Sequence, residues 1–202
     1  LLSPMEQTLF TRLSIFVGGC TIEAAETMCE GILSPSQVID GIGSLLDKSL
    51  LHRETGIYGD PRYIMLETVR EYGLERVAKN EDIEALHERR ARCFLNIVET
   101  TDQSEINPRK LQLNRLIDDE IHNLRAALDW FTHHDVQAAL ALTAHLLRWY
   151  GQRGPYSEGR RLVDEVLVLP GASLATIPRV KALSEAGTLL YYDNETAGAM
   201  TC

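Results

Sequence analysis

Apolar residues follow a helical spacing along almost all of this chain, and the one interruption, between residues 49 and 66, most limits what it can fold into. There Ser49–Arg53 and Arg62–Leu66 read as short strands, separated by the turn residues Thr55-Gly56 and Gly59-Asp60-Pro61. Three helix signals precede them. Ser3-Pro4-Met5-Glu6 offers an N-cap, a proline at the first helical position and a glutamate placed to close a capping box. Leu9, Phe10, Leu13 and Phe16 continue as an apolar stripe that Gly18-Gly19 is placed to end. Thr21 caps a short helix through about Cys29. Ser34-Pro35-Ser36-Gln37 repeats the opening signal, with Val38, Ile39, Ile42, Leu45 and Leu46 on the inner side of a third helix.

Three helices followed by a small hairpin is the layout of a winged helix. A further helix from Glu67 to about Ala78, with Val69, Tyr72, Leu74 and Val77 as apolar positions, completes a first domain over residues 1–80. The polar run Lys79-Asn80-Glu81-Asp82 is expected to be a loop. Residues 81–202 read as helices throughout, at about 83–100, 108–131, 136–152, 156–169 and 178–192. Forty positions on, Leu146 falls on Ala186, Trp149 on Leu189 and Gly154 on Asn194. Helix pairs recurring at roughly 34–47 residues point to tetratricopeptide-like repeats. The expected fold is mainly α: a winged-helix domain with a small β-hairpin, then a tetratricopeptide-like helical region. The chain opens Leu-Leu-Ser-Pro without a methionine and its last repeat is cut at Cys202, so a fragment of a longer protein is expected.

Charge bears on the partners. The chain carries 20 Lys and Arg against 29 Asp and Glu, a formal net charge of −9, whereas a protein gripping phosphate backbones needs a basic face. The third helix offers Gln37 and Lys48 beside Asp40 and Asp47, and its centre, Ile42 to Leu46, carries no base-reading side chain. In the hairpin Arg53 and Arg62 stand against Glu54 and Asp60. DNA binding through this segment is therefore not the first expectation, although the winged-helix layout keeps it as the alternative.

Catalytic chemistry finds no footing in the sequence. No glycine-rich phosphate loop is present. His87-Glu88 begins like a zinc-protease helix, but the second histidine position is Ala91. His133-His134 sits at a helix end, and Asp118-Asp119-Glu120 reads as a solvated stretch whose members point to different faces. Cys20, Cys29, Cys93 and Cys202 match no zinc spacing and are expected to be reduced. The apolar runs are too short to span a membrane. No catalytic, cofactor-binding or metal-binding residue is assigned, and the chain is expected to be a non-enzymatic, cytoplasmic regulatory segment.

Several stretches carry a resemblance. They are Leu2-Ser3-Pro4-Met5-Glu6-Gln7, the run from Leu9-Phe10 through Arg12-Leu13-Ser14-Ile15-Phe16-Val17-Gly18-Gly19-Cys20-Thr21 to Glu26, and Leu45-Leu46-Asp47-Lys48-Ser49-Leu50. Arg62-Tyr63-Ile64-Met65-Leu66-Glu67-Thr68-Val69-Arg70-Glu71-Tyr72 and Glu120-x-x-Asn123-Leu124-Arg125-Ala126-Ala127-Leu128-Asp129-Trp130 follow in order. Together they resemble the region after the nucleotide-binding domain in bacterial signal-transduction ATPases with numerous domains, which include large LuxR-like and AfsR-like regulators. That resemblance implies a winged helix packed on the nucleotide-binding domain and helical repeats that sense a protein or small-molecule signal. ATP or ADP would belong to the ATPase domain, which this sequence lacks.

Overall fold

The structure, a computed structural model, describes residues 2–80, 83–102 and 107–199. Its elements are α1 (Pro4–Leu13), α2 (Ile22–Cys29), α3 (Pro35–Asp47), β1 (His52–Thr55), β2 (Pro61–Ile64), α4 (Glu67–Asn80), α5 (Ile83–Asp102), α6 (Asn107–His134), α7 (Val136–Arg153), α8 (Tyr156–Leu167) and α9 (Ile177–Ala199). The fold is mainly helical, with an N-terminal winged helix whose wing is a two-stranded antiparallel hairpin.

Local chemistry sets the helix starts. Ser3 accepts the Glu6 N–H while the Glu6 carboxylate accepts the Ser3 N–H, and Ser34 and Gln37 repeat this box at α3. Thr21 accepts the Ala24 N–H at α2. The ends differ from expectation. Ser14 closes α1 by donating its N–H to Phe10, so Phe16 lies outside the helix although it is fully buried. Gly18 and Gly19, both at φ +81°, lie in the loop beyond the Ser14 cap rather than ending the helix. A Cβ on Gly19 would lie 2.7 Å from the Tyr63 carbonyl oxygen, because the loop runs against β2 and Cys20 exchanges backbone hydrogen bonds with Tyr63.

The strands are also displaced from the expected ones: β1 starts at His52 rather than Ser49, and β2 runs from Pro61 to Ile64 rather than from Arg62 to Leu66. Ser49–Leu51 belong to the turn that ends α3, where the Leu45 carbonyl accepts the N–H groups of Leu50 and Leu51. The hairpin pairs His52 with Ile64, Arg53 with Tyr63, Glu54 with Arg62 and Thr55 with Pro61. Pro61, which has no N–H to donate, takes the first position of β2. Lys79 and Asn80 are the last residues of α4, and Glu81-Asp82, the remainder of the expected loop, lie outside the described residues.

Two compact units emerge, Leu1–Asn96 with Asp118–Ala127, and Ile97–Ile117 with Leu128–Cys202. The first is built on Leu9, Ile15, Phe16, Met28, Leu45, Phe94 and Leu124, with Phe16 and Phe94 edge to face at 6.0 Å. Tyr72, expected as an apolar position of α4, is 49% exposed. The reason is the turn of α4 that meets α1: Gly73 lies against Ser14 and Phe10, which rotates Tyr72 outward. In the second unit α7 packs on α8 and α9, and α8 on α9, around Leu140, Leu142, Leu146, Val166, Ala186 and Leu189. Gly159 admits Leu189, whose methyls would lie 3.0 and 3.1 Å from an added Cβ. Trp130 lies edge-on to Phe131 and stacks on His134 at 4.3 Å. No helix among the described residues is long and apolar enough to cross a membrane.

Candidate functional site

A winged helix offers partners its third helix and its wing, so these decide what the first unit can bind. The inner side of α3 carries Val38, Ile42 and Leu45, and Gly41 brings α3 against α1: a Cβ there would sit 2.5 Å from Leu9 Cδ2. Ser36, Gln37, Ile39, Asp40, Gly43 and Asp47 face solvent. This outward surface holds two carboxylates and no cation. Lys48, just past the end of α3, donates to Glu6 at 2.5 Å. Glu6 also accepts the Ser44 hydroxyl and, at 2.7 Å, the Ser3 N–H. The hydrogen bonds from Lys48, Ser44 and Ser3 hold the Glu6 carboxyl down to about 2, below its ordinary 4.5.

The wing closes on the N-terminal half of α6. Gly56 donates its N–H to Asp60 at 2.8 Å and Gly59 to Gly56 at 3.1 Å, which shapes the turn. The Ile57 N–H donates to Asp119 at 2.7 Å and the Tyr58 hydroxyl to Asp118 at 2.5 Å. Gly56 is what lets the carboxylate in, since a Cβ would meet Asp119 Oδ1 at 3.1 Å. At the base of the wing, Arg62 donates to both oxygens of Glu120, at 2.5 and 3.1 Å, and to the Gly18 and Gly19 carbonyls at 3.3 and 3.2 Å. Burial works against the charge of Arg62, but the hydrogen bond and attraction of Glu120 outweigh it and raise the pKa. Asn123, one turn on, accepts the Val17 N–H at 2.8 Å and donates to Gly19 and Glu120 at 2.9 and 2.7 Å.

Two sequence readings change here. Arg62 stands opposite Glu54 in register, yet its guanidinium turns inward to Glu120. Asp118-Asp119-Glu120 is not a solvated run: the hairpin curls around α6, so three side chains leaving the helix in different directions each meet a different part of it. Sequence reading missed Glu120 as the partner of Arg62 and Asn123 as the partner of Glu120 and the Gly18-Gly19 loop. Their i, i+3 spacing places them on one helical face, which was the available signal. Elsewhere Glu88 pairs with Arg92 at 3.0 Å, and His133 Nδ1 lies 2.8 Å from the Asp129 carbonyl oxygen. Arg70 is half-buried and pairs with Glu67 at 2.7 Å.

Other polar features have structural settings. Cys20, Cys29 and Cys93 are buried free thiols, Cys93 pushed up to about 11 by burial, and Cys202 lies outside the described residues. In the second unit Arg148 bridges Asp102 at 2.6 Å and Glu185 at 3.1 Å beside buried His145, whose pKa burial lowers to about 4. No group of three or more His, Cys, Asp or Glu among the described residues could hold a metal ion. A groove of about 810 Å³ runs between α1 and α4, over Phe10, Val69 and Tyr72, with Thr8, Thr11 and Arg76 at its sides.

Comparison with known proteins fits this geometry. Two mycobacterial proteins align over 195 residues at 31% identity: Rv0890c of Mycobacterium tuberculosis and Mb0914c of Mycobacterium bovis, whose names describe HTH-type transcriptional regulators. The alignment covers 94% of this chain and 22% of either relative, so the chain spans about a fifth of the length of the curated relatives it matches. No solved structure matches it. Residues 2–78, which hold α1 to α4 and the wing, match the family described as winged helix-turn-helix domain.

Proposed function

We propose that this chain is a non-catalytic regulatory segment of a larger, cytoplasmic transcriptional regulator of the signal-transduction ATPase class, whose winged helix packs on protein rather than reading DNA. In this reading its partner is the nucleotide-binding domain of the same polypeptide. The helices beyond residue 80 form a bundle leading into tetratricopeptide-like repeats that receive a protein or small-molecule signal. Nucleotide belongs to the ATPase domain and none to this segment. The observation that supports the reading most directly is the outward side of α3, which exposes Asp40 and Asp47 and no cation, while Lys48 and Arg62 are bound to Glu6 and Glu120. Neutralising phosphates takes several cations on one face. Calorimetric titration of the chain against the nucleotide-binding domain of its full-length protein tests it. Tighter binding with ADP than with ATP is expected, and no heat with either nucleotide contradicts the reading.

A second reading, direct DNA binding through the winged helix, is favoured by the family match over residues 2–78 and by the names of the mycobacterial relatives. It calls for measurable affinity of the unaltered chain for duplex DNA at low salt.

A further inference from the structure

The wing offers three donors of the kinds that proteins turn toward nucleic-acid backbones: a main-chain N–H at Ile57, a tyrosine hydroxyl at Tyr58 and a guanidinium at Arg62. Each is occupied by a carboxylate, and the three carboxylates are consecutive on α6. We propose that Asp118-Asp119-Glu120 is a built-in competitor for phosphate, and that the wing becomes a nucleic-acid backbone contact only when the Asp118–Asp119 clamp opens.

The two halves of the contact differ in kind. Arg62 and Glu120 are buried, and Asn123 ties them to the Gly18-Gly19 loop, so this pair is the fixed end. Asp118 and Asp119 are only half-buried, and they hold a wing tip on which Ile57 is 69% and Tyr58 37% exposed. Water and ions reach that end. Opening it presents the Ile57 N–H and the Tyr58 hydroxyl beside Arg53, which is already exposed on β1. Because α3 carries no base-reading cation, the contact is directed at phosphates, indifferent to sequence and steeply weakened by salt. Glu54 and Asp60, exposed on the same hairpin, keep it weak.

The test is fluorescence anisotropy with a labelled duplex of arbitrary sequence at low ionic strength. The D118A/D119A variant is expected to bind at least about tenfold tighter than the unaltered chain, an effect large enough to separate from scatter. Adding Y58F is expected to remove most of that gain. Removing two exposed acids elsewhere, in D164A/E165A on α8, is expected to produce no comparable gain. No gain in D118A/D119A overturns the proposal, as does a gain that Y58F leaves intact or that D164A/E165A reproduces. If the double-alanine variant loses its cooperative thermal transition, D118N/D119N, which keeps the side-chain shape, takes its place with the same expectations. Failure here leaves the protein-packing reading standing. Tight binding by the unaltered chain counts against that reading instead.

Discussion

Arg62 and Glu120, 58 residues apart in sequence, form a two-point ion pair in which the side chains are only 8% and 4% exposed. It joins the base of the wing to the middle of α6, and through Asn123 to the loop between α1 and α2. A buried pair of this kind matters less for its net stabilisation than for what happens when half of it is removed.

Glu120→Ala leaves the Arg62 guanidinium buried with only the Gly18 and Gly19 carbonyls, and is expected to cost about 3–5 kcal/mol in urea unfolding. The double change Arg62→Met with Glu120→Leu restores an apolar pair and is expected to cost distinctly less than Glu120→Ala alone. Equal losses in the two variants would mean that leaving the Arg62 guanidinium buried without its carboxylate carries no penalty of its own.

Glu6 sets an acid limit on stability. Its folded pKa, about 2, lies below the ordinary 4.5, so the unfolded chain binds the proton more readily. The stabilisation is fully present above about pH 5 and is lost as pH falls toward 2. Glu6→Gln is expected to lower stability at neutral pH and to flatten the loss between about pH 5 and pH 2. Thermal melts across that range check it, and an unchanged slope would remove Glu6 from the account.

Two glycines of α3 separate packing from helix propensity. A Cβ at Gly41 meets Leu9 Cδ2 at 2.5 Å and Met5 Sδ at 3.2 Å, whereas Gly43 has nothing within 4 Å. Gly41→Ala is expected to destabilise by about 1–3 kcal/mol through overpacking of α1 on α3. Gly43→Ala is expected to stabilise by roughly 0.5–1 kcal/mol, because alanine is the better helix former. Denaturant midpoints of the two variants check both signs.

Much of this was written in local sequence. Ser3-Pro4 and Ser34-Pro35 give the starts of α1 and α3 because a cap acts over three or four residues. The turn residues around Gly56 and Gly59 give the hairpin for the same reason. The exact strands escaped, since Leu50 and Leu51 bond back to Leu45 and delay β1 to His52, a choice made by the end of α3. Tyr72 was misplaced because periodicity identifies a face but not which turn meets a neighbour, and Gly73 decides that. The clamp on the wing was least legible. Asp118, Asp119 and Glu120 look like solvated charge until the hairpin is known to curl around them, and a contact across some sixty residues leaves no local trace.

Whether this winged helix serves protein packing, with its wing held by α6, is decided in the unaltered chain. Anisotropy of a labelled duplex titrated with the protein at low salt is the measurement. No saturable binding is expected at protein concentrations up to about 10⁻⁴ M, the weak end of ordinary non-specific affinity. Saturable binding that weakens steeply as salt is added would contradict it and establish the winged helix as a DNA-binding element in its closed form.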